Sequence, residues 1–561
     1  MSPNRRLLLN EPWRPSLTRA WRRQVTRWVA LCALMLAGPV TAQQADSALP
    51  SFAELEAAGA RIGTIRVMPK DIFDTSDPAE DYALFRLANR LHIQTREGVI
   101  RRAILFQSGD PVSVRAIEET ERLLRSNGYL YEVSLRPVAV RDGLVDIEVV
   151  TRDTWSLNVG AGVGRSGGAN FSNVEFSDEN LFGTGTRLSL KRTNDIDRSS
   201  SSVEYANDRA LGTWAAVALR HASSSDGKAS AVSVVRPFYA LDSRWTAGVA
   251  VSSDERIDAV YSSGVVASQY RVKQSQARIF GGRSAGLVDG WVRRHTLGLS
   301  SNQVRYAAEP GLVAPASLPG DDKQVGPYYR YDLIEDRFDR EVNRNLVGQP
   351  EFFAVGINAS VQINWASKAL GSSRNVAFYS ASVSKGFEPL PDHSLIARAA
   401  LSGELSGSGG HYLSAAAQYY LPQSERRLFY AAAAGDWITQ AGPIDSLVLG
   451  GDNGLRGYPL RYQSGARRML FTVEQRFYTD VYLWRLFRIG GAAFFDVGRA
   501  WGGTSANAVN PGWLSDVGFG LRIVSVRSAS SNVVHIDVAL PLNRDPGISS
   551  VQLLVKTKKS F

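Results

Sequence analysis

The sequence predicts a mainly β protein: an antiparallel barrel of about sixteen strands, membrane-spanning, behind a small α+β domain. Three observations carry this. From residue 153 to Phe561, helix-period runs give way to short segments of alternating apolar and polar residues, separated by Gly, Asn, Asp and Ser clusters. Hydrophobic residues make up 44% and aromatics 10%, with 50 glycines, yet no apolar run reaches the roughly 18 residues of a membrane helix. An open sheet of this size would have two edges to protect, whereas a closed barrel has none.

The chain of 561 residues starts with a leader. Residues 1–42 carry seven arginines against Glu11, then the apolar core Trp28–Ala37 and Val40-Thr41-Ala42, which together read as a secretory signal with a small-residue cleavage site. The core is too short to span a bilayer. Cys32 is the one cysteine and lies inside that core, so the exported chain is expected to carry neither disulfide nor thiol chemistry. Cleavage would also remove about +6 of the net +10; the balance left does not argue for nucleic acid.

Residues 43–60 read as a polar, Ala-rich linker with a helical turn or two at 51–58. The segment 61–152 reads as a compact α+β module. Arg61–Val67 alternates as a strand, and Asp81–Leu91 has helical spacing at Leu84, Leu87, Ala88 and Leu91. Val99–Phe106 is a second extended run. Ser113 caps a helix over Val114–Asn127, with Gly128 as its C-terminal glycine. Two strands, Tyr129–Val140 and Leu144–Thr151, are joined by the hairpin signal Arg141-Asp142-Gly143.

Beyond 153 the clearest alternating runs are Thr186–Arg192, Ser202–Asn207, Thr213–His221, Ala229–Tyr239, Trp245–Ser252, Phe352–Trp365, Val376–Phe387, Leu395–Leu405 and Tyr412–Leu421. Five more follow, at 469–478, 490–499, Asp516–Val526, Val533–Leu540 and Val551–Phe561. Between these two groups sits Gly450–Arg461, GGDNGLRGYPLR. Its turn residues let a long loop fold back and hold Leu455, Arg456, Gly457 and Tyr458 in fixed places. A buried arginine needs carboxylates. Period-two reading of 469–478 sets Glu474 and Arg476 opposite Met469, Phe471, Val473 and Phe477. In 493–498, Asp496 faces away from Phe495 and Val497. In a closed barrel Glu474 and Asp496 both point inward, within reach of Arg456.

These motifs carry a resemblance. Asn180-Leu-Phe-Gly-Thr-Gly185, Arg456-Gly457-Tyr458, Glu474-Gln475-Arg476, Phe495-Asp-Val-Gly498, Gly518-Phe-Gly520-Leu-Arg522 and the terminal Phe561 stand in this order over most of the chain. Residues 61–561 resemble outer-membrane protein assembly factors of the BamA/TamA type, the bacterial surface antigen superfamily, which also includes two-partner secretion transporters. The module at 61–152 resembles a POTRA domain, on Gly109-Asp110-Pro111, Gly128-Tyr129 and the closing hairpin. The resemblance implies an arginine loop in the lumen, paired with the acids of the next two strands, and a weak seam between first and last strands. The chain departs from the pattern in having one such module rather than several, and Lys559 where an apolar residue is usual.

The seam is expected where 155–164 meets 551–561. Gly160, Gly162 and Gly164 share one face of the early strand, and glycine offers no side chain to pack. Other motifs read as ordinary structure. Gly282-Arg-Ser-Ala-Gly286 matches a hydrolase nucleophile elbow but lacks the strand-to-helix setting, so it reads as a hairpin turn. The six histidines have no metal spacing, and no phosphate loop occurs. Tyr328–Arg340 reads as a solvated loop or lumen face.

The expectation is therefore a non-enzymatic outer-membrane protein without cofactor. Its partners would be the bilayer, unfolded outer-membrane or secreted proteins, and periplasmic or inner-membrane assembly proteins, with no nucleic acid. The alternative is a two-partner transporter passing one dedicated protein through its lumen; a passive porin is more distant.

Overall fold

The computed structural model describes residues 49–558, apart from 349, 406–408, 443, 503–511 and 530–531. The leader at 1–42 with Cys32, the start of the 43–60 stretch, Lys559 and Phe561 lie outside the described residues.

Helix α1 (Phe52–Ala57) opens on a capping box, in which Ser51 N donates to Glu54 Oε2 at 2.7 Å and the Ser51 hydroxyl accepts from Glu54 N. Leu55 and Ala60 are buried in the module's core, so that module begins inside the stretch read as linker. Strand β1 (Arg61–Lys70) is followed by helices α2 (Ala83–Leu91), α3 (Glu97–Arg101) and α4 (Val114–Arg125), then by β2 (Leu130–Arg141) and β3 (Leu144–Asp153). The sheet order is β1-β3-β2, with β1 parallel and β2 antiparallel to β3.

Two local expectations change. Val99–Phe106 starts inside α3 and continues as turns rather than an extended run, because Ile100, Ala103 and Phe106 recur every third residue and all reach the core. Gly128 is not a left-handed helix stop, since α4 closes on a right-handed Ser126. A side chain at Gly128 would press on Ala529, whose carbonyl oxygen stands 2.9 Å from where its Cβ would be.

Barrel strands β4 to β9 are Leu157–Ser166, Ala169–Asp178, Thr186–Asn194, Ser199–Ala210, Ala215–Ser224 and Gly227–Arg236. The longer β10 to β13 are Trp245–Ser262, Val265–Val288, Trp291–Ala308 and Asp322–Glu335. A short pair, β14 (Phe338–Val342) and β15 (Pro350–Ala354), interrupts the wall before β16 to β20, Asn358–Ala366, Val376–Phe387, Ser394–Glu404, His411–Ser424 and Arg427–Ile438. A second short pair, β21 (Leu447–Leu449) and β22 (Gln463–Gly465), precedes β23 to β27, Arg467–Leu483, Phe487–Trp501, Leu514–Ser525, Val533–Pro541 and Gln552–Lys558.

Among the described residues twenty of these strands close into one antiparallel barrel, not about sixteen. Five of the twenty, β5, β11, β12, β13 and β20, fall outside the alternating runs named above. Strands β11 and β12 are long and carry polar residues on both phases in their outer halves. Strand β20 contains four consecutive alanines, 431–434, which read alike on either face. Tyr328–Arg340 is not a loop: it is the second half of β13 running into β14. The Gly282–Gly286 motif lies in the last part of β11, ahead of the true turn at Asp289-Gly290.

The exterior is apolar at alternate positions, as with Met469, Phe471, Val473 and Phe477 on β23, while Glu474 and Arg476 are buried inward. Two segments fill the interior from opposite ends. The β20–β23 connection enters from the end away from the module. At the module's end, the β14–β15 hairpin packs Leu346, Val347 and Phe353 against the inward-facing Ile396, Tyr420, Leu428 and Tyr478.

Candidate functional site

Strands β23 and β24 pair in register, so their inward residues form rows across the wall. Arg456, carried in by the long connection, meets those rows. Its Nε and Nη2 donate to the two Asp496 oxygens at 2.6 and 2.9 Å, a bidentate pair, and its Nη1 donates to Glu474 Oε1 at 2.9 Å. Asp537 on β26 adds a third carboxylate at 3.9 Å, and the guanidinium lies 3.4 Å from the Phe494 ring centre. All of these groups are buried, so each charge depends on the others for what water would otherwise supply.

The rest of the loop motif is held by its neighbours. Leu455 is fully buried among Leu449, Tyr458, Tyr462 and Leu514. Gly457 N donates to Asp516 Oδ2 at 3.0 Å. The Tyr458 hydroxyl lies 2.7 Å from the Asn543 carbonyl oxygen and 2.9 Å from that of Ser515. At the loop's far side Arg461 forms two contacts with Asp197, at 2.8 and 2.6 Å, which carries the loop across the lumen to the β6–β7 turn.

The other strand-motif residues divide by face. Phe495 is exposed on the exterior. Gly498 faces in and leaves room for Leu449 of the loop, whose Cδ2 would lie 3.0 Å from an added Cβ. Arg522 is fully buried and ion-paired with Asp537, and Gly520 provides the gap that this pair occupies. Arg476 donates through Nε to Glu474 Oε2 at 3.0 Å and through Nη1 to the Arg344 carbonyl of the β14–β15 hairpin at 2.9 Å. Glu474 therefore takes one arginine from each lumen-filling segment's anchorage.

Sequence reading missed Asp516, Asp537 and Arg344. Asp516 and Asp537 were available, because both stand in phase with the inward residues of their alternating strands. Arg344 was not, because nothing local shows that its hairpin turns into the barrel.

Among the described residues the seam is where the wall is least paired. Strands β4 and β5 share ten register pairs and β26 and β27 share seven, whereas the described part of β27 meets β4 at the single pair Val555–Arg165. At the module's end Trp155 bridges to Ser528, with Trp155 N donating to the Arg527 carbonyl at 2.8 Å. Between these two points lies a cavity of about 1200 Å³ lined by Gly160, Gly162, Thr557 and Lys558. The three glycines differ: Phe171 covers Gly164 and Asn173 covers Gly162, leaving open space only at Gly160. Among the described residues the seam is marked by sparse backbone pairing more than by missing side chains.

One atom of the loop serves both seam strands. The Gly451 carbonyl oxygen accepts from Ser166 Oγ on β4 at 2.8 Å and from Lys556 Nζ on β27 at 2.7 Å.

No family model and no curated protein matches the chain. Among solved structures it is similar to CdiB from Acinetobacter baumannii, at 12% identity over 96% of this chain and 97% of that one, with a TM-score of 0.43. CdiB from Escherichia coli is 12% identical over 88% of this chain and 76% of that one, TM-score 0.44. BamA from Haemophilus ducreyi lacking POTRA domains 1-3 is 12% identical over 88% and 85%, TM-score 0.40.

Proposed function

We propose that this chain is an outer-membrane β-barrel that assists insertion, assembly or translocation of proteins at the bacterial outer membrane, with residues 61–152 as a POTRA-like periplasmic domain for client or partner docking. The seam is the single observation that carries this reading. An edge of β4 with one register pair to the described residues of β27 offers backbone groups to an extended client strand. Such work needs position and hydrogen bonds, not covalent chemistry. The surrounding bilayer favours it, because a client strand in lipid must satisfy its backbone against another strand.

The second reading is a transporter moving one dedicated protein through the lumen. What favours it is that the lumen is filled by a hairpin seated on Arg476, a segment that could leave as a unit. One experiment separates the two. Cysteines at Arg165 and Val555, the paired positions, lock the seam when oxidised. Loss of client assembly, restored by reductant, supports the seam. Full activity in the locked protein overturns the seam reading in favour of the lumen.

A further inference from the structure

Helix α2 has two distinct faces. Phe85, Ala88, Asn89 and His92 point inward. Phe85 stacks on Phe73 at 3.9 Å, Asn89 bonds Phe73's main chain at 2.8 and 3.1 Å, and His92 Nε2 lies 2.8 Å from Asp153 Oδ2. With that face occupied, a second one carries Leu84, Leu87 and Leu91, three and four residues apart and therefore one stripe. These leucines are 63%, 50% and 64% exposed, and Ile93 at 54% extends the stripe. A helix that already has a buried face has no folding reason to keep a second apolar one in water.

The position of the helix indicates what covers it. Its inner cluster includes Trp155, where the first barrel strand begins, and Leu486 of the β23–β24 turn. The segment after it is pinned to the β5–β6 turn: Arg96 N donates to the Gly183 carbonyl at 3.0 Å, Arg96 Nε to that of Phe182 at 3.1 Å, and Asn180 Nδ2 to Thr95 Oγ1 at 2.7 Å. Both turns end strands whose outward residues, Phe176 and Leu483, belong to the barrel's apolar exterior. Each turn also exposes an aromatic, Phe182 in one and Trp484 in the other. The stripe thus continues the barrel's lipid-facing surface, and Arg86 and Arg90 flank it.

We infer that α2 lies on the adjoining phospholipid leaflet, with Leu84, Leu87 and Leu91 at the headgroup–acyl boundary and the two arginines at the phosphates. This rests on the reading of the barrel as membrane-spanning. Three leucines would bind a bilayer weakly as a free peptide, but the barrel holds the helix at the surface and removes most of the entropic penalty. The leaflet then fixes the tilt of the whole module beneath the seam.

The test uses the full-length chain, with Cys32→Ser, in bilayers of phosphatidylethanolamine and phosphatidylglycerol with part of the acyl chains brominated. A fluorophore is attached to one cysteine at a time: Leu87→Cys on the stripe, Val174→Cys on the barrel exterior, or Leu144→Cys at the far tip of the module's sheet. Quenching at 174 and at least twofold at 87, with none at 144, supports the inference. Quenching at 174 with 87 as bright as 144 overturns it. No quenching at 174 overturns the membrane reading beneath it. A label at 87 that stays bright in bare bilayers, but is shielded from iodide when an unfolded client is added, overturns the leaflet in favour of a protein-docking face.

Discussion

Arg476 on β23 donates from Nη1 to the main-chain carbonyl of Arg344 at 2.9 Å, tying a wall strand to the hairpin lodged in the barrel's mouth. The same side chain gives Nε to Glu474, and Glu474 gives its other oxygen to Arg456. Two segments that enter the lumen from opposite ends are thus held through one carboxylate.

Replacing Arg456 tests that arrangement first. Arg456→Ala leaves Asp496 buried without its arginine and Glu474 with Arg476 alone, at a cost of about 3–5 kcal/mol. Thermal unfolding should drop accordingly, and protease should cut within 450–461. Arg456→Lys should recover only part of the loss, because an ammonium cannot grip both Asp496 oxygens in a planar fork. An unchanged melting profile for Arg456→Ala would remove the pairing from the stability account.

Arg476→Ala should unseat the hairpin while leaving the Arg456–Asp496 pair intact, a loss of about 1–3 kcal/mol. In planar bilayers its conductance should fluctuate more than that of the parent. Deletion of 339–353 should raise mean conductance further. Equal conductance in all three proteins would mean that the lumen is blocked by the loop alone.

Two glycines should report how tightly module and barrel are joined. Gly183 has φ +70°, and an added Cβ would overlap the Gln94 carbonyl oxygen; Gly183→Ala should loosen the joint by about 1–3 kcal/mol. Gly128→Ala presses on Ala529 without backbone strain and should do less. Hydrogen exchange over 94–96 and 180–185 distinguishes the variants, and protection equal to the parent's in Gly183→Ala would contradict the prediction.

Glu119 gives the joint a pH dependence. Its Oε1 accepts from Leu241 N at 2.6 Å and its Oε2 lies 3.2 Å from Arg115 Nη1. Burial nonetheless holds its carboxyl above the ordinary glutamate value, outweighing the Leu241 hydrogen bond and the charges of Arg115 and Arg122, while Asp242 pushes the same way as burial. A folded pKa above the unfolded one means the native state binds the proton more tightly. The stability this contributes is fully present below the unfolded value and is lost as pH rises through the raised one. Docking of α4 against the β9–β10 turn should therefore tighten on mild acidification from neutrality, read as slower hydrogen exchange over 237–244. Glu119→Gln should flatten the profile, and an unaltered slope in that variant would assign it to another group.

How far the sequence reached depends on whether the governing contact is local. The alternation in 469–478 separates Glu474 and Arg476 from Phe471 and Val473, because adjacent strand residues face opposite sides whatever the wall around them. Ser113 and the Asp142-Gly143 turn are equally local. Strand number was not legible, because alanine runs and long polar strands blur the period. The role of Gly128 was not legible either, since it is set by Ala529, some four hundred residues away in sequence. The β14–β15 hairpin escaped for the same reason: Phe352–Trp365 contains both the end of the inward β15 and a wall strand, and only the rest of the barrel tells them apart.

The shared acceptor at Gly451 has a thermodynamic consequence. One carbonyl holds Ser166 on the first barrel strand and Lys556 on the last, and it belongs to the segment that Arg456 secures. Parting those strands removes at least one bond from the segment, so the two events form a linked equilibrium. Linkage is reciprocal: whatever coupling free energy the parting of these strands takes from the hold on Arg456, loosening Arg456 takes from the closure of the strands by the same amount. A guest at the wall and an effector on the far mouth could then sense one another without ever touching.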